Sequence, residues 1–400
     1  MNHCGNEKKK VTIVTNNVSC EQHFQSIAKL EEYFLANGWD ISSGFEGVDK
    51  VVISGCGFHD FMFKKVLNTL EHLKTLCFEP KNVIIHGCIS KTHSQNLREH
   101  FQGDLIETKN SEVLDKVINA KVPLSEIAIK NVFNFPGQQD NKTFYIKIMQ
   151  GCLMECTYCI IKYAMGYIQS VSQEEILNQY EIARNNGFRK IHFMGEDTFA
   201  YGLDINSNLI KVINELIKID DSLELDIGNF HLKWLEDYGD DILELCKKNI
   251  VKKLYISIQH INPFILKHMG RETDFYALYE VIRKIRAAAP QVRIFTDIIV
   301  GFPGETQEIF EELLEFLKAD TCFTKVTHYG YSDNANTPSY NFPDKVSSFQ
   351  VTKRWNALKE ILGQRSPYTD NNNCDSFDEM TQQTMDNDFV ICKNTYKPLT

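Results

Sequence analysis

Residues 144–161 read FYIKIMQGCLMECTYCII. The run FYIKIM reads as a strand, and it ends at Met149. Three cysteines follow on the loop that leaves it: Cys152, Cys156 and Cys159, spaced C-x3-C-x2-C. A loop this short can turn three sulfurs toward one point. Structural zinc wants a fourth ligand, and no His or Cys follows at finger-like spacing. Iron–sulfur clusters are held by thiolates, usually four per cluster. Three thiolates on a four-iron cluster leave one iron open to a small chelating ligand, as a catalytic zinc keeps one open position. A zinc site or chance clustering stands as the alternative.

The same strand opens a series. Further strand candidates fall at residues 190–194, 223–227, 253–258, 292–300 and 324–329, with helical stretches between them. Ser172 and Glu175 have capping-box spacing at one helix start. Six β/α units point to a partial or full barrel, whose chemistry belongs at the C-terminal ends of its strands. Upstream lie three β-branched runs, VTIVTN (11–16), VVISG (51–55) and NVIIH (82–86). Between the first two, Phe24, Ile27, Leu30, Tyr33 and Phe34 mark one apolar helix face, closed by Gly38. Alternating strands and helices imply a parallel, doubly wound sheet. The polar, turn-rich stretch 131–143 marks the boundary. The expected organisation is an α/β domain over 1–132, a barrel over 142–345, and a C-terminal helix with an irregular polar tail over 346–400.

In that first domain Cys20, Cys56 and Cys88 each come shortly after a strand. In a parallel sheet such positions share one edge, so three thiols distant in sequence form a second constellation. Taken singly, each reads as a small buried hydrophobe. The chain has 12 cysteines and no secretory signal, so metal or redox work explains them better than disulfides. Cys4, Cys77, Cys246, Cys322, Cys374 and Cys392 have no convergent placement. No apolar run is long enough to span a membrane, and the reading is cytoplasmic. The net charge of −10 argues against a chain wrapped in nucleic acid.

C-x3-C-x2-C at the end of a first barrel strand resembles the radical S-adenosylmethionine (SAM) superfamily. Adding the three-cysteine α/β domain, the whole resembles the radical SAM methylthiotransferases over about residues 10–360. VTIVTNNVSCEQH, VVISGCGF and VIIHGCIS resemble that family's first three cysteine segments; FMGEDTFAYGLD, LYISIQH, TDIIVGFPGETQEIFEELLEFL and NTPSYNFPDKV resemble its later barrel segments. The resemblance implies a (β/α)6 partial barrel and two [4Fe-4S] clusters, one on Cys152, Cys156 and Cys159 and an auxiliary one on Cys20, Cys56 and Cys88. It implies that one SAM methylates a sulfur on the auxiliary cluster. A second SAM, cleaved at the other cluster, yields the radical that takes hydrogen from an unactivated carbon, and the carbon then receives the methylthio group. It places Tyr158 beside the SAM adenine, Glu196 at the SAM amino group, and Gln259 and Asp297 around SAM. The bland alternatives are ordinary capping or ion-pairing roles, and for GFPGET a tight turn whose glycines supply positive φ. His260, a lone histidine at a strand end, is a structural residue or a substrate contact.

Two departures bear on the substrate. Where the family carries charged residues after its third core cysteine, this chain reads YAMGYIQSV, keeping Gly166 and Ser170. The family also ends in a small β domain, whereas the sequence after 365 shows neither alternating strands nor the length for one. The tail is acidic and would repel phosphates. These features favour a peptide or protein substrate over tRNA. The expected partners are that substrate and an external electron donor such as flavodoxin or ferredoxin, with the enzyme a monomer. Plain sulfur insertion without methyl transfer and a non-enzymatic redox sensor are the competing readings.

Overall fold

The computed structural model describes residues 8–16, 20–132, 142–363, 389–393 and 395. The chain divides into two compact units. One takes the described residues up to 132, residues 163–165 and 389–395; the other takes 142–162 and 166–363.

The first unit is built on β1 (Lys10–Thr15), β2 (Asp40–Ile41), β3 (Lys50–Ser54), β4 (Val83–His86) and β5 (Asp104–Ile106). β1, β3, β4 and β5 lie side by side, all parallel, and β2 also pairs with β1. Alternation along these strands splits the apolar side chains between two cores. Val11, Ile13, Val52 and Ile84 pack on one face with the helix Glu21–Ala36; Val14, Val51, Ile53, Val83 and Ile85 pack on the other with Val66, Leu70 and Leu73. A sheet buried on both faces is the doubly wound arrangement expected. The helix Glu21–Ala36 buries Phe24, Ile27, Leu30, Tyr33 and Phe34, and Gly38 follows it with φ +80°.

One strand was not anticipated. Val390–Cys392, in the segment read as an irregular tail, pairs antiparallel with β1. Beyond it, buried Glu31 accepts hydrogen bonds from the Thr395 backbone N–H (2.8 Å) and hydroxyl (2.6 Å). Residues 365–388 of that tail lie outside the described residues, as do Cys4 and Cys374.

The second unit contains β6 (Thr143–Lys147), β7 (Met149–Gln150), β8 (Gln169–Ser170), β9 (Lys190–Met194), β10 (Glu224–His231), β11 (Val251–Ser257), β12 (Arg293–Val300) and β13 (Lys325–Gly330). β6, β9, β10, β11, β12 and β13 form one parallel sheet in chain order, with helices between successive strands. The end strands β6 and β13 do not pair with each other among the described residues, so the barrel is partial. Buried Asp226 on β10 ties the N-terminal ends of the strands together, with Lys190 at 3.6 Å, Lys253 at 3.8 Å and Arg293 at 3.3 Å. The opposite, C-terminal ends carry the loops where chemistry is placed in such folds. Ser172 caps its helix by accepting the Glu175 N–H at 3.2 Å, but the Glu175 carboxylate bonds Gln179, so only half of the expected capping box is seen.

Candidate functional site

In the first unit, Thr15, Ser54 and His86 are aligned in register at the C-terminal ends of β1, β3 and β4. Cys56 and Cys88 each stand two residues beyond a strand end, after Gly55 and Gly87. Gly87 has φ +111°, and a Cβ there would lie 2.6 Å from the Gly55 carbonyl oxygen, so the two loops close on each other only because both residues are glycine. Cys20 begins the helix Glu21–Ala36. The three thiols stand close enough that Cys56 and Cys88 both raise the Cys20 pKa, after burial, which raises it most. The His23 backbone N–H acts in the opposite sense, as a donor to sulfur. Cys88 Sγ lies 3.8 Å from the Thr108 hydroxyl. Burial lowers His23 and His86 to about 4, which leaves both neutral at pH 7.

Sequence reasoning missed the residue that fixes Cys56. Asn16, 3% exposed at the end of β1, accepts the Cys56 N–H through Oδ1 at 3.0 Å and donates through Nδ2 to the Met62 carbonyl at 2.7 Å. An Asn after a strand reads as a turn residue. Only the paired sheet shows it reaching across to a loop 40 positions away.

In the second unit, the loop after β6 is clamped from two sides. Gly151, φ +85°, donates its N–H to Glu196 Oε2 at 2.8 Å, and a Cβ on it would sit 2.1 Å from the Tyr167 carbonyl oxygen. Cys152 N–H donates to the Gly166 carbonyl at 3.1 Å, and β7 pairs antiparallel with β8. The stretch that departs from the family pattern therefore serves to hold the cysteine loop. Gly166 takes φ +71°, the Ser170 hydroxyl accepts the Gly202 N–H at 2.9 Å, and Ile168 is buried. On the other side, Thr157 N–H donates to the Met269 carbonyl (3.0 Å) and its hydroxyl to the His268 carbonyl (2.7 Å). Gly270, φ +68°, lies so near that a Cβ would meet the Glu155 carbonyl oxygen at 2.5 Å.

Burial pushes the thiol of Cys152 up to about 12, with Asp197 adding to it, and that of Cys159 up to about 11, with Cys156 adding to it. Left alone, both are protonated at neutral pH. Yet donors are aimed at their sulfurs. Met154 N–H reaches Cys152 Sγ at 3.3 Å, the Ile161 and Lys162 N–H groups reach Cys159, and Arg271 Nη1 reaches Cys156 Sγ at 3.4 Å. Such donors suit thiolates, and the set fits a group that binds sulfur anions. Among the described residues no three His, Cys, Asp or Glu converge tightly enough for a single metal ion. Ligands to three corners of an iron–sulfur cube stand further apart than ligands of one ion.

Around this loop, the Tyr158 ring meets Phe302 edge to face at 6.3 Å, and its hydroxyl lies 3.4 Å from Arg271 Nη1. Asp297 accepts the Tyr255 hydroxyl at 2.7 Å and the Ser257 hydroxyl at 3.3 Å; burial raises its pKa to about 6. Gln259 holds φ +66°, rare for a side chain other than Gly or Asn, and its buried Oε1 has no partner among the described residues. Backbone strain of that kind costs about 1–3 kcal/mol and clusters at functional sites. Asp197 is occupied with the His231 N–H and the Trp234 indole. His260 is fully buried, and Nδ1 accepts the Asn262 N–H at 3.0 Å. The glycines of GFPGET take φ +78° and +86°, as a turn requires.

The comparisons agree with this architecture. Residues 146–317 match the Radical SAM superfamily, and residues 12–107 match a family described as Uncharacterized protein family UPF0004. The ribosomal protein uS12 methylthiotransferase RimO of Alkaliphilus oremlandii is 30% identical over 354 residues, 86% of this chain and 79% of that protein. RimO of Chlamydia pneumoniae is 27% identical, covering 88% and 77%. The tRNA-2-methylthio-N(6)-dimethylallyladenosine synthase of Shouchella clausii is 28% identical, covering 87% and 68%. Among solved structures, the radical SAM methyltransferase TsrM of Kitasatospora setae shares the fold at 13% identity, with a TM-score of 0.55 over 83% of this chain and 77% of that one. The chain belongs to the radical SAM methylthiotransferase family. It is an enzyme of that class, working with [4Fe-4S] clusters and SAM.

Proposed function

We propose that this enzyme attaches a methylthio group to an unactivated carbon of a peptide or protein side chain. Cys152, Cys156 and Cys159 hold the cluster that binds SAM, and Cys20, Cys56 and Cys88 hold the auxiliary one. When bound, these groups supply the electron, the radical and the methylthio sulfur. The chain's own residues place and shield them. Glu196 and the glycines at 151 and 166 fix the start of the cysteine loop. Tyr158, braced by Phe302, presents a ring for the adenine. The unpaired Gln259 Oε1 and the Asp297 carboxylate offer polar contacts to the amino-acid end of SAM. A low-potential protein such as flavodoxin or ferredoxin delivers the electron, and the enzyme acts as a monomer.

The observation that carries the substrate class is the similarity to enzymes named for a ribosomal protein, at up to 30% identity over 79% of the relative. Charge supports it. The chain carries −10 overall, and residues 366–389 contain six acidic residues and no Lys or Arg, a poor match to a polyanion. The relative named for tRNA modification favours tRNA as the second reading. Reconstituted enzyme, SAM and dithionite incubated separately with a ribosomal-protein fraction and with bulk tRNA decide between them by mass spectrometry. The expected product is a protein or peptide heavier by one CH2S unit. Modification of tRNA alone selects the second reading, and a gain of sulfur without the methyl group overturns methylthio transfer. Iron analysis tests the ligands. Cys152→Ala/Cys156→Ala/Cys159→Ala and Cys20→Ala/Cys56→Ala/Cys88→Ala each lose about four of about eight irons.

A further inference from the structure

Arg271 was not singled out in the sequence, where an Arg after Gly reads as a helix end. The residue is 5% exposed. Nη1 donates to Cys156 Sγ at 3.4 Å and to the Tyr158 hydroxyl at 3.4 Å, and Nη2 donates to the Ser257 carbonyl. No carboxylate forms an ion pair with it among the described residues; Asp197 and Asp297 act on it only from longer range. A buried cation without a contact anion is costly. The backbone leaves it little freedom to move away, because Gly270 is pressed against Glu155 and Met269 is bonded to Thr157.

A bound cluster changes that balance. Its thiolates carry negative charge, and one more electron adds to it. A fixed positive charge hydrogen-bonded to a ligand sulfur stabilises the reduced state more than the oxidised one. We propose that Arg271 raises the reduction potential of the cluster on Cys152, Cys156 and Cys159, easing entry of the electron from a low-potential one-electron donor. It is a positioning residue that acts through the Cys156 sulfur, and the inference rests on the ligand role proposed above for Cys156. One charge at this range, in a medium of effective dielectric near 20, changes the reduced-to-oxidised ratio by roughly ten- to a hundredfold.

The test is a redox titration of full-length holoenzyme followed by electron paramagnetic resonance, using only the reduced-cluster signal that responds to later addition of SAM. Wild type is compared with Arg271→Met, Arg271→Lys and Cys156→Ala, with iron counted in each. The expected result is a reduced-to-oxidised ratio at fixed potential at least about tenfold lower in Arg271→Met, a smaller fall in Arg271→Lys, and unchanged iron in both. An unchanged ratio with full iron overturns the proposal. Loss of iron in both Arg271 variants overturns it too, by making Arg271 a prop for the loop. A shift that appears only with SAM present overturns it by making Arg271 a SAM contact. Survival of the SAM-responsive signal in Cys156→Ala refutes the ligand reading itself, whatever the Arg271 variants show.

Discussion

Replacing Asn16 by alanine tests how the first constellation is held. The side chain is buried and makes two good hydrogen bonds, from the Cys56 N–H at 3.0 Å and to the Met62 carbonyl at 2.7 Å. Alanine leaves the Cys56 N–H without its partner, whereas the Met62 carbonyl, in the first turn of the helix Asp60–Thr75, keeps its helical bond. An orphan of that kind costs about 1–3 kcal/mol when water does not reach it, so Asn16→Ala should lose about 1–3 kcal/mol of stability in the first unit. The local effect is sharper. Cys56 follows Gly55, a residue with little torsional resistance, and the Asn16 bond is what ties its backbone to β1. Holoenzyme carrying Asn16→Ala should therefore drop from about eight irons per chain toward about four, while still cleaving SAM. Urea unfolding gives the stability and anaerobic iron and sulfide analysis gives the occupancy. Asn16→Asp keeps an acceptor for the Cys56 N–H but turns an anion toward the Met62 carbonyl, so it should retain more iron than alanine despite a comparable loss of stability. Full iron in Asn16→Ala, with a stability change under about 0.5 kcal/mol, would refute the reasoning.

Two further outcomes follow from the barrel. Gly270→Ala forces a Cβ toward the Glu155 carbonyl in a left-handed backbone conformation, which costs about 1–2 kcal/mol before any clash; iron analysis should show the loss confined to the cluster of Cys152, Cys156 and Cys159. Glu305, buried beside Arg354 at 3.3 Å, is raised to about 7 from the ordinary carboxyl value of 4.5, burial outweighing Arg354 and the Gly301 and Phe302 N–H groups. Its folded pKa lies above the unfolded one, so the unfolded chain gives up this proton first, and stability should fall as pH rises from about 4.5 to about 7 and level off above. Urea melts across that window should show the fall in wild type and a flatter profile in Glu305→Gln; parallel profiles would mean Glu305 is ionised throughout.

What the sequence discloses is what is local. The six cysteines could be placed because each follows an apolar run, and parallel strands bring the residues after them to one edge. The barrel strands were legible for the same reason. The residues that set the cysteines in place were not. Arg271 meets a sulfur 115 positions away and Asn16 a loop 40 positions away, and neither contact leaves any periodicity. β2, with two residues, and β5, with three, are too short to show a pattern. Gly270 follows a helix, where glycine is common, and its closeness to Glu155 exists only once both loops are folded. In YAMGYIQSV, Met165 and Ile168, at positions where the family carries charge, are buried.

The strand Val390–Cys392 has a consequence for how the protein is made. β1 leaves the ribosome before the whole barrel, and its antiparallel neighbour after it. Throughout synthesis of the barrel, that edge of the first sheet is an open template for stray pairing. Glu31 meanwhile waits for the Thr395 hydroxyl and N–H that will neutralise its burial cost. The scaffold carrying Cys20, Cys56 and Cys88 is thus completed only after the barrel has been made. A ribosome that stalls between the barrel and Val390, or a protease that removes Val390–Cys392, acts on the oldest part of the protein rather than the newest.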